Sequence, residues 1–124
     1  MLFLALQAYT ELIHFDWYIR RSDFARLRER VSSCTVASYP GPKIGVIRIC
    51  SAVDHACIWY WKEVLCLQRS AATACLLKRH GLPAQLVVGA QQIPFKAHAW
   101  VEVDGRVVND RSYIPEMYAV LDRC

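Results

Sequence analysis

The sequence contains few residues that break regular structure, since its 124 residues include only five glycines and five prolines. This scarcity excludes collagen-like and low-complexity proteins. Charged residues are also few, at 21%, whereas hydrophobic residues make up 55%. A disordered chain needs the opposite balance. The length allows one hydrophobic core and not two, so we expect a single domain over residues 1–124.

Close pairs of cysteines are missing, although the sequence has six cysteines, at positions 34, 50, 57, 66, 75 and 124. Structural zinc sites usually show such pairs, and no Cys-x-x-Cys occurs here. No glycine-rich loop that would hold a phosphate is present either. We therefore expect no metal, no cofactor, and reduced thiols in a cytoplasmic protein.

An apolar run long enough to cross a bilayer, about 20 residues, is also missing. The apolar N-terminal segment is interrupted at Glu11, His14 and Asp16. Neither a preceding basic segment nor a small-residue cleavage site marks it as a secretory signal. We therefore expect an N-terminal helix and no transmembrane segment.

Nucleic-acid binding is disfavoured, although the formal net charge is +4 and arginines cluster between Arg20 and Arg30. Asp23 and Glu29 interrupt this cluster, which favours a solvated helix face. The aromatic and basic residues also do not form the alternating pattern on which bases stack. We expect no nucleic-acid partner.

Hydrophobic spacing predicts helices in the first half of the chain. Residues 2–31 follow a helical period, and Ser22 is a candidate N-cap at which a second helix would begin. Residues 32–43 contain Pro-Gly-Pro and are predicted to form a loop. Residues 44–58 suit either a strand or a helix, and we favour a helix.

The second half begins with the clearest helix, over residues 66–80, which Gly81 is suited to end. Three strands are predicted to follow, over residues 84–90, 96–103 and 106–109. Asp104-Gly105 is a strong signal for a hairpin between the last two strands. This order predicts one helix packed on a small antiparallel sheet.

Cys66 lies at the start of the clearest helix, where free backbone N–H groups and the helix dipole favour the reactive thiolate. His98 lies in a later strand, and Asp110 follows the next strand. Papain-like and transglutaminase-like enzymes place a helix-borne cysteine against a sheet that carries a histidine and then an acid or amide. In such sites the histidine takes the thiol proton and the third residue orients the imidazole.

Two neighbouring residues, Asn109 and Asp110, compete for the role of orienting His98. With a plain two-residue hairpin turn, the alternation of side chains turns Asn109 toward the His98 face and Asp110 away from it. A bulge at Gly105 would shift the register by one residue and reverse this order. Because papain-like enzymes use an asparagine here, spacing alone leaves both alternatives open.

Aromatic residues flank these candidates. Tyr60 and Trp61 precede Cys66 and are candidate oxyanion or substrate-binding residues, beside the backbone N–H of Cys66 as the first oxyanion donor. Simple packing against the start of the helix is the alternative for both. Trp100 is a third candidate oxyanion or substrate-binding residue. It lies two residues from His98 on the same strand face, so we also expect it to shield His98 and its acidic partner from water.

The second half of the chain carries the following motifs in order: CLQRS (66–70), LLKRHGLPA (76–84), VVG (87–89), PFKAHAWVE (94–102), DG (104–105) and ND (109–110). Over about residues 60–122 the chain resembles the transglutaminase-like leader peptidases of lasso-peptide biosynthesis. The first 58 residues resemble that family only in being helical and apolar.

The resemblance implies that Cys66 is the nucleophile, His98 the general base and acid, and Asp110, in preference to Asn109, the orienting residue. It implies a cysteine peptidase that removes the leader from a ribosomally made lasso-peptide precursor. The precursor is then one partner, and a separate leader-recognition protein of winged-helix type is another, because the chain has no room for a fused one. The lasso cyclase is a further candidate partner.

The expected architecture is α+β, with N-terminal helices and a papain/transglutaminase-like core in which the helix that carries the cysteine packs on a small antiparallel sheet. Residues 1–58 would be the helical, partner-facing part, and residues 59–124 the catalytic core. Two other functions remain open. One is another acyl-transfer enzyme with the same triad, such as a transglutaminase or an arylamine acetyltransferase-like enzyme. The other is a non-catalytic scaffold that binds the leader.

Overall fold

The computed structural model describes residues 2–38 and 45–124, and it has the predicted α+β architecture. The elements are α1 (Leu2–Arg20), α2 (Phe24–Ser33), α3 (Val46–Trp59), α4 (Cys66–Arg79), β1 (Ala84–Gln92), β2 (Phe95–Val103), β3 (Arg106–Val107), α5 (Ile114–Met117) and β4 (Ala119–Arg123). None of the described helices is long and apolar enough to span a bilayer.

The first two helices separate in the predicted region, but the N-cap lies one residue later than expected. Ser22 adopts a φ of +53° between the helices, whereas Asp23 caps α2. The Asp23 carboxylate accepts a hydrogen bond from the backbone N–H of Arg26 at 3.1 Å, which satisfies a free donor of the first turn. Residues 39–43 of the predicted 32–43 loop lie outside the described residues.

Helix α4 ends as its sequence predicts. Gly81 has a φ of +85°, which suits glycine because it has no side chain to clash in the left-handed region. The Gly81 N–H donates to the Lys78 carbonyl at 3.1 Å, and the Leu82 N–H donates to the Leu77 carbonyl at 3.0 Å. These two bonds form a Schellman motif that satisfies the last carbonyls of the helix and directs the chain into β1.

The sheet is antiparallel and has the strand order β3-β2-β1-β4. β1 and β2 pair from Ala84–Val103 to Gln92–Phe95, so the turn between them is tighter than the predicted strand bounds, 84–90 and 96–103, imply. The sequence did not predict α5 or β4. β4 pairs with the other side of β1, with a register shift between Val88 and Gly89.

Each face of the sheet packs against a different layer. Inward-facing residues of β2, such as Ala99 and Val101, join the main core with the four long helices. The side chain between them, Trp100, lies on the opposite face in a smaller cluster with Val87 and Ile114. Side chains alternate between the faces of a strand, so β2 links the helical layer to the segment that follows β3.

Candidate active site

Cys66 is the first residue of α4, and its side chain is half-buried. Leu65 occupies the N-cap and makes no capping hydrogen bond through its side chain. The backbone N–H groups of the first helical turn are among those without partners inside a helix. They are therefore available to stabilise a negatively charged oxygen beside the thiol, as an oxyanion hole does.

His98 and Asp110 form a short hydrogen bond. His98 Nε2 lies 2.6 Å from Asp110 Oδ2, and the two side chains are 21% and 18% exposed. Burial alone would raise the pKa of Asp110, but hydrogen bonds from His98 and from the Arg111 backbone N–H hold it below its ordinary value. The charged carboxylate favours the tautomer with hydrogen on Nε2, which leaves Nδ1 free to take a proton.

Two aromatic rings pack against the imidazole of His98. The ring centroid of Tyr118 lies 5.4 Å away and that of Trp100 lies 6.1 Å away, both stacked at 28°. Gly89 pairs with His98 across β1 and β2. A Cβ at Gly89 would lie 2.8 Å from the Trp100 ring and 2.9 Å from Tyr118 Cβ, so only glycine leaves room for both rings.

Trp100 is completely buried and therefore cannot line a surface that receives a peptide. Its indole N–H donates to Glu102 Oε2 at 2.9 Å, and Glu102 also binds Arg123 at 2.6 Å. These bonds satisfy the polar side-chain atoms of Trp100 and Glu102, both of which are buried. The position of Trp100 beside His98 suits the expected shielding role and not direct substrate binding.

Asp110 contacts His98 without the bulge at Gly105 that strand alternation required for this contact. The Asp104-Gly105 turn is a plain two-residue turn, with φ of +51° and +78°, and no bulge shifts the register after it. β3 ends at Val107, two residues sooner than predicted, and the Val108 N–H makes one further backbone hydrogen bond to the Val101 carbonyl at 3.0 Å. The backbone then bends out of the strand conformation, so alternation no longer determines the direction of the Asp110 side chain.

The side chain of Asn109 makes a bond to β2 that a longer β3 would make with its backbone. Its Oδ1 accepts a hydrogen bond from the Val101 backbone N–H at 2.8 Å, and its Nδ2 donates to Ser70 Oγ at 3.0 Å. Ser70 Oγ in turn donates to the Ala99 carbonyl at 3.0 Å. These bonds connect α4 to β2 next to His98, and they commit the Asn109 amide to a role other than orienting the imidazole.

Arg69 adds a second connection between α4 and the segment that carries Asp110. Its Nη2 donates to the Asn109 carbonyl at 3.1 Å, and its Nη1 contacts Asp54 of α3 at 3.0 Å. An ion pair to an exposed carboxylate contributes little by itself. Arg69, Ser70 and Asn109 all fall within the sequence motifs, but spacing along the chain does not reveal which atoms meet.

The same network places Cys66 relative to His98. Ser70 follows Cys66 by one helical turn on the same face of α4, and Ala99 follows His98 directly in β2. The Ser70–Ala99 hydrogen bond thus joins the two elements close to both candidates. Within the part of the chain that the structure describes, the Cys66 thiol and the His98 ring share no hydrogen bond. Such contacts often tighten only when substrate is bound.

Tyr60 and Trp61 lie between α3 and α4, where they line a cavity of about 530 Å³ together with Asp16 and Trp17 of α1. The Tyr60 hydroxyl donates to Asp16 at 2.9 Å, and burial together with this bond raises the pKa of Tyr60 to about 12. Its hydroxyl is therefore committed to Asp16 and is not a free oxyanion donor. Trp61 is 66% exposed and remains open to contact with a ligand.

Other thiols outside the site have environments that suppress reactivity. Burial raises the pKa of Cys50 to about 11, and it also raises the pKa of Cys57 and that of Cys124. A protonated thiol is a poor nucleophile and a poor metal ligand. Over residues 2–38 and 45–124, no three histidine, cysteine, aspartate or glutamate side chains are grouped to hold a metal ion.

Comparison with known proteins identifies the family. The family model for the Transglutaminase-like superfamily matches residues 10–123. The Microcin J25-processing protein McjB of Escherichia coli is 38% identical over 56 residues, which are 45% of this chain and 27% of McjB. The matched region thus spans about a quarter of that relative, and no solved structure matches the chain. Because the family model covers nearly all of the sequence, this chain belongs to the transglutaminase-like superfamily.

Proposed function

We propose that this protein is a cysteine endopeptidase that removes the leader from a ribosomally made lasso-peptide precursor. The observation that carries the proposal is the 2.6 Å hydrogen bond between His98 and Asp110, beside a helix that begins with Cys66. The similarity to McjB, which is named for processing microcin J25, favours a peptide precursor as the substrate.

In the proposed mechanism, His98 Nδ1 accepts the proton of the Cys66 thiol, and the thiolate attacks the carbonyl carbon of the scissile peptide bond. Backbone N–H groups at the start of α4 stabilise the oxyanion of the tetrahedral intermediate. The imidazolium then gives its proton to the leaving amine, and the C–N bond breaks. Water, deprotonated by His98, hydrolyses the thioester and restores the thiol. Asp110 holds the imidazole orientation and stabilises its charged form.

The proposal includes a separate leader-recognition protein of winged-helix type and assigns residues 1–58 to the partner-facing part. Helix α1 supports this assignment because it exposes apolar side chains along its length, namely Phe3, Leu6, Ile13 and Trp17. Exposed apolar patches on a small protein often mark interaction surfaces. The lasso cyclase, which would use the new N-terminal amine, is the next candidate partner. We place the reaction in the cytoplasm, where a catalytic thiol stays reduced.

The test compares Cys66→Ala with the unaltered chain, using precursor and recognition protein and following the products by mass spectrometry. We expect the unaltered chain to yield two fragments whose masses sum to precursor plus one water. Cys66→Ala should yield none while it retains its circular dichroism spectrum. Cys57→Ala, which removes another half-buried thiol, is the matched control and should cleave normally.

Each other outcome rejects part of the proposal. Cleavage by Cys66→Ala would exclude Cys66 as the nucleophile. A product that carries an added amine or acyl group, in place of water, would show that the acyl-enzyme serves transfer and not hydrolysis. Tight binding of precursor by the unaltered chain with no cleavage would favour the scaffold function.

A further inference from the structure

A second pair of reactive groups lies outside the candidate active site. Cys34 is the C-cap residue of α2, and Cys75 lies in the middle of α4. Their Sγ atoms are 2.7 Å apart. Cys75 follows Cys66 by nine positions in α4, or about 13 Å at the rise of an α-helix. The pair therefore has no part in the proposed peptide cleavage.

We propose that Cys34 and Cys75 are a redox-active dithiol pair, which closes to a disulfide when the protein meets a peroxide. The two sulfurs already lie within contact distance, so closing the bond requires little movement of α2 against α4. Cys75 is completely buried, whereas Cys34 is half-buried and precedes an exposed segment over residues 35–38. An oxidant from solvent would therefore reach Cys34 first.

The surroundings of Cys34 also favour it as the attacking thiol. The hydrogen bond from Cys75 holds the pKa of Cys34 below its ordinary value, although burial acts in the opposite direction. The guanidinium groups of Arg30 and Arg79 also lower this pKa, and the Glu11 carboxylate opposes them. Cys75 has the opposite shift. The hydrogen bond with Cys34, together with burial, raises the pKa of Cys75, so Cys75 remains a thiol until Cys34 has reacted. This division resembles that of an attacking and a resolving cysteine.

The reaction balances with one hydrogen peroxide. The Cys34 thiolate attacks one oxygen, the O–O bond breaks, and hydroxide leaves and becomes water, so that Cys34 becomes a sulfenic acid. The Cys75 sulfur then attacks the sulfenic sulfur. An S–S bond forms, the S–O bond breaks, and hydroxide leaves with the Cys75 proton as a second water. The two thiols lose two electrons in total, which the peroxide takes up.

The disulfide would join the end of α2 covalently to the helix that begins with Cys66. A cross-link between distant parts of a chain restricts the unfolded state and so stabilises the folded one. We therefore expect the oxidised protein to melt at a higher temperature than the reduced protein. Oxidation of this pair does not depend on whether Cys66 is a peptidase nucleophile.

The experiment uses the full chain with Cys66→Ser, so that this thiol does not consume oxidant. Treatment with hydrogen peroxide should reduce the intact mass by two hydrogen atoms and, when the chain is then unfolded and alkylated, block alkylation at Cys34 and Cys75. The other three thiols should still be alkylated. The melting temperature should rise, and dithiothreitol should reverse both changes.

Two variants in the same background decide the outcome. Cys34→Ser should abolish the mass loss and the rise in melting temperature. Cys34 is chosen because the fold tolerates a substitution at a half-buried residue better than one at the buried Cys75. Cys124→Ser, the matched half-buried control, should retain both effects. The proposal is overturned if Cys34→Ser still loses two hydrogens. It is also overturned if peroxide converts Cys34 to a sulfinic acid while Cys75 can still be alkylated.

Discussion

The side-chain amide of Asn109 donates a hydrogen bond to the hydroxyl of Ser70 at 3.0 Å, and this contact joins the strand side of the candidate site to its helix. Asn109 precedes Asp110, and Ser70 lies one turn after Cys66. The relative position of the proposed nucleophile and its base thus depends on a residue that does not contact the imidazole.

Asn109→Ala should reduce activity without abolishing it. The change leaves the Val101 N–H without its partner and Ser70 without a donor, so we expect a loss of about 1–3 kcal/mol in unfolding free energy. Urea denaturation measures that loss, and kcat for precursor cleavage should fall while the pH profile keeps its shape. Asp110→Ala should instead eliminate cleavage. If Asn109→Ala eliminates cleavage and Asp110→Ala does not, the assignment of the orienting residue is wrong.

Asp110→Asn should lower kcat about a thousandfold or more, because an amide no longer enforces the imidazole tautomer. Steady-state kinetics of precursor cleavage measure this loss.

The same substitution should change the acid unfolding of the protein. The pKa of Asp110 in the folded state lies below its ordinary value of 3.8, so the ionised carboxylate stabilises the fold above that pH. This contribution is lost as the pH falls from 3.8 through the lower folded-state pKa. Acid unfolding of the unaltered chain should therefore be steeper in this range than that of Asp110→Asn. Equal slopes for the two proteins would contradict the described His98–Asp110 hydrogen bond.

Gly89→Ala should destabilise the fold and impair the site together. The new methyl group would have to displace Trp100 or Tyr118, both of which stack on His98, and such overpacking costs about 1–3 kcal/mol. Gly45→Ala is the matched control, since its Cβ meets nothing within 4 Å and its φ is −71°. The control should lose less than about 1 kcal/mol, as expected for an exposed N-cap position. Equal losses in urea denaturation would show that the ring packing does not depend on Gly89.

Ile13→Glu should weaken binding of the recognition protein and leave the fold intact, because Ile13 is exposed on α1. A charge placed in an apolar interface must lose its hydration without a partner. Isothermal titration calorimetry measures the affinity, and Leu121→Glu, at an exposed apolar residue of β4, is the matched control. If Leu121→Glu weakens binding and Ile13→Glu does not, the interface lies on the sheet and not on α1.

Local signals in the sequence were sufficient for much of the fold. The periodic apolar residues before Gly81 predicted α4, and Asp104-Gly105 predicted the hairpin turn. Both depend on a few neighbouring residues and on the conformations that glycine permits. β4 could not be predicted from local signals, because it is short and its partner, β1, lies far away in the sequence.

By itself, the sequence determined the fold class and the order of Cys66, His98 and the Asn109-Asp110 pair, since helix periodicity and turn chemistry are local. Only the tertiary structure decided which of Asn109 and Asp110 meets His98. β3 ends at Val107, and the bonds of Asn109 to the backbone of β2 and to α4 then set the path of the chain. That outcome depends on contacts between residues distant in sequence, which spacing along the chain does not encode.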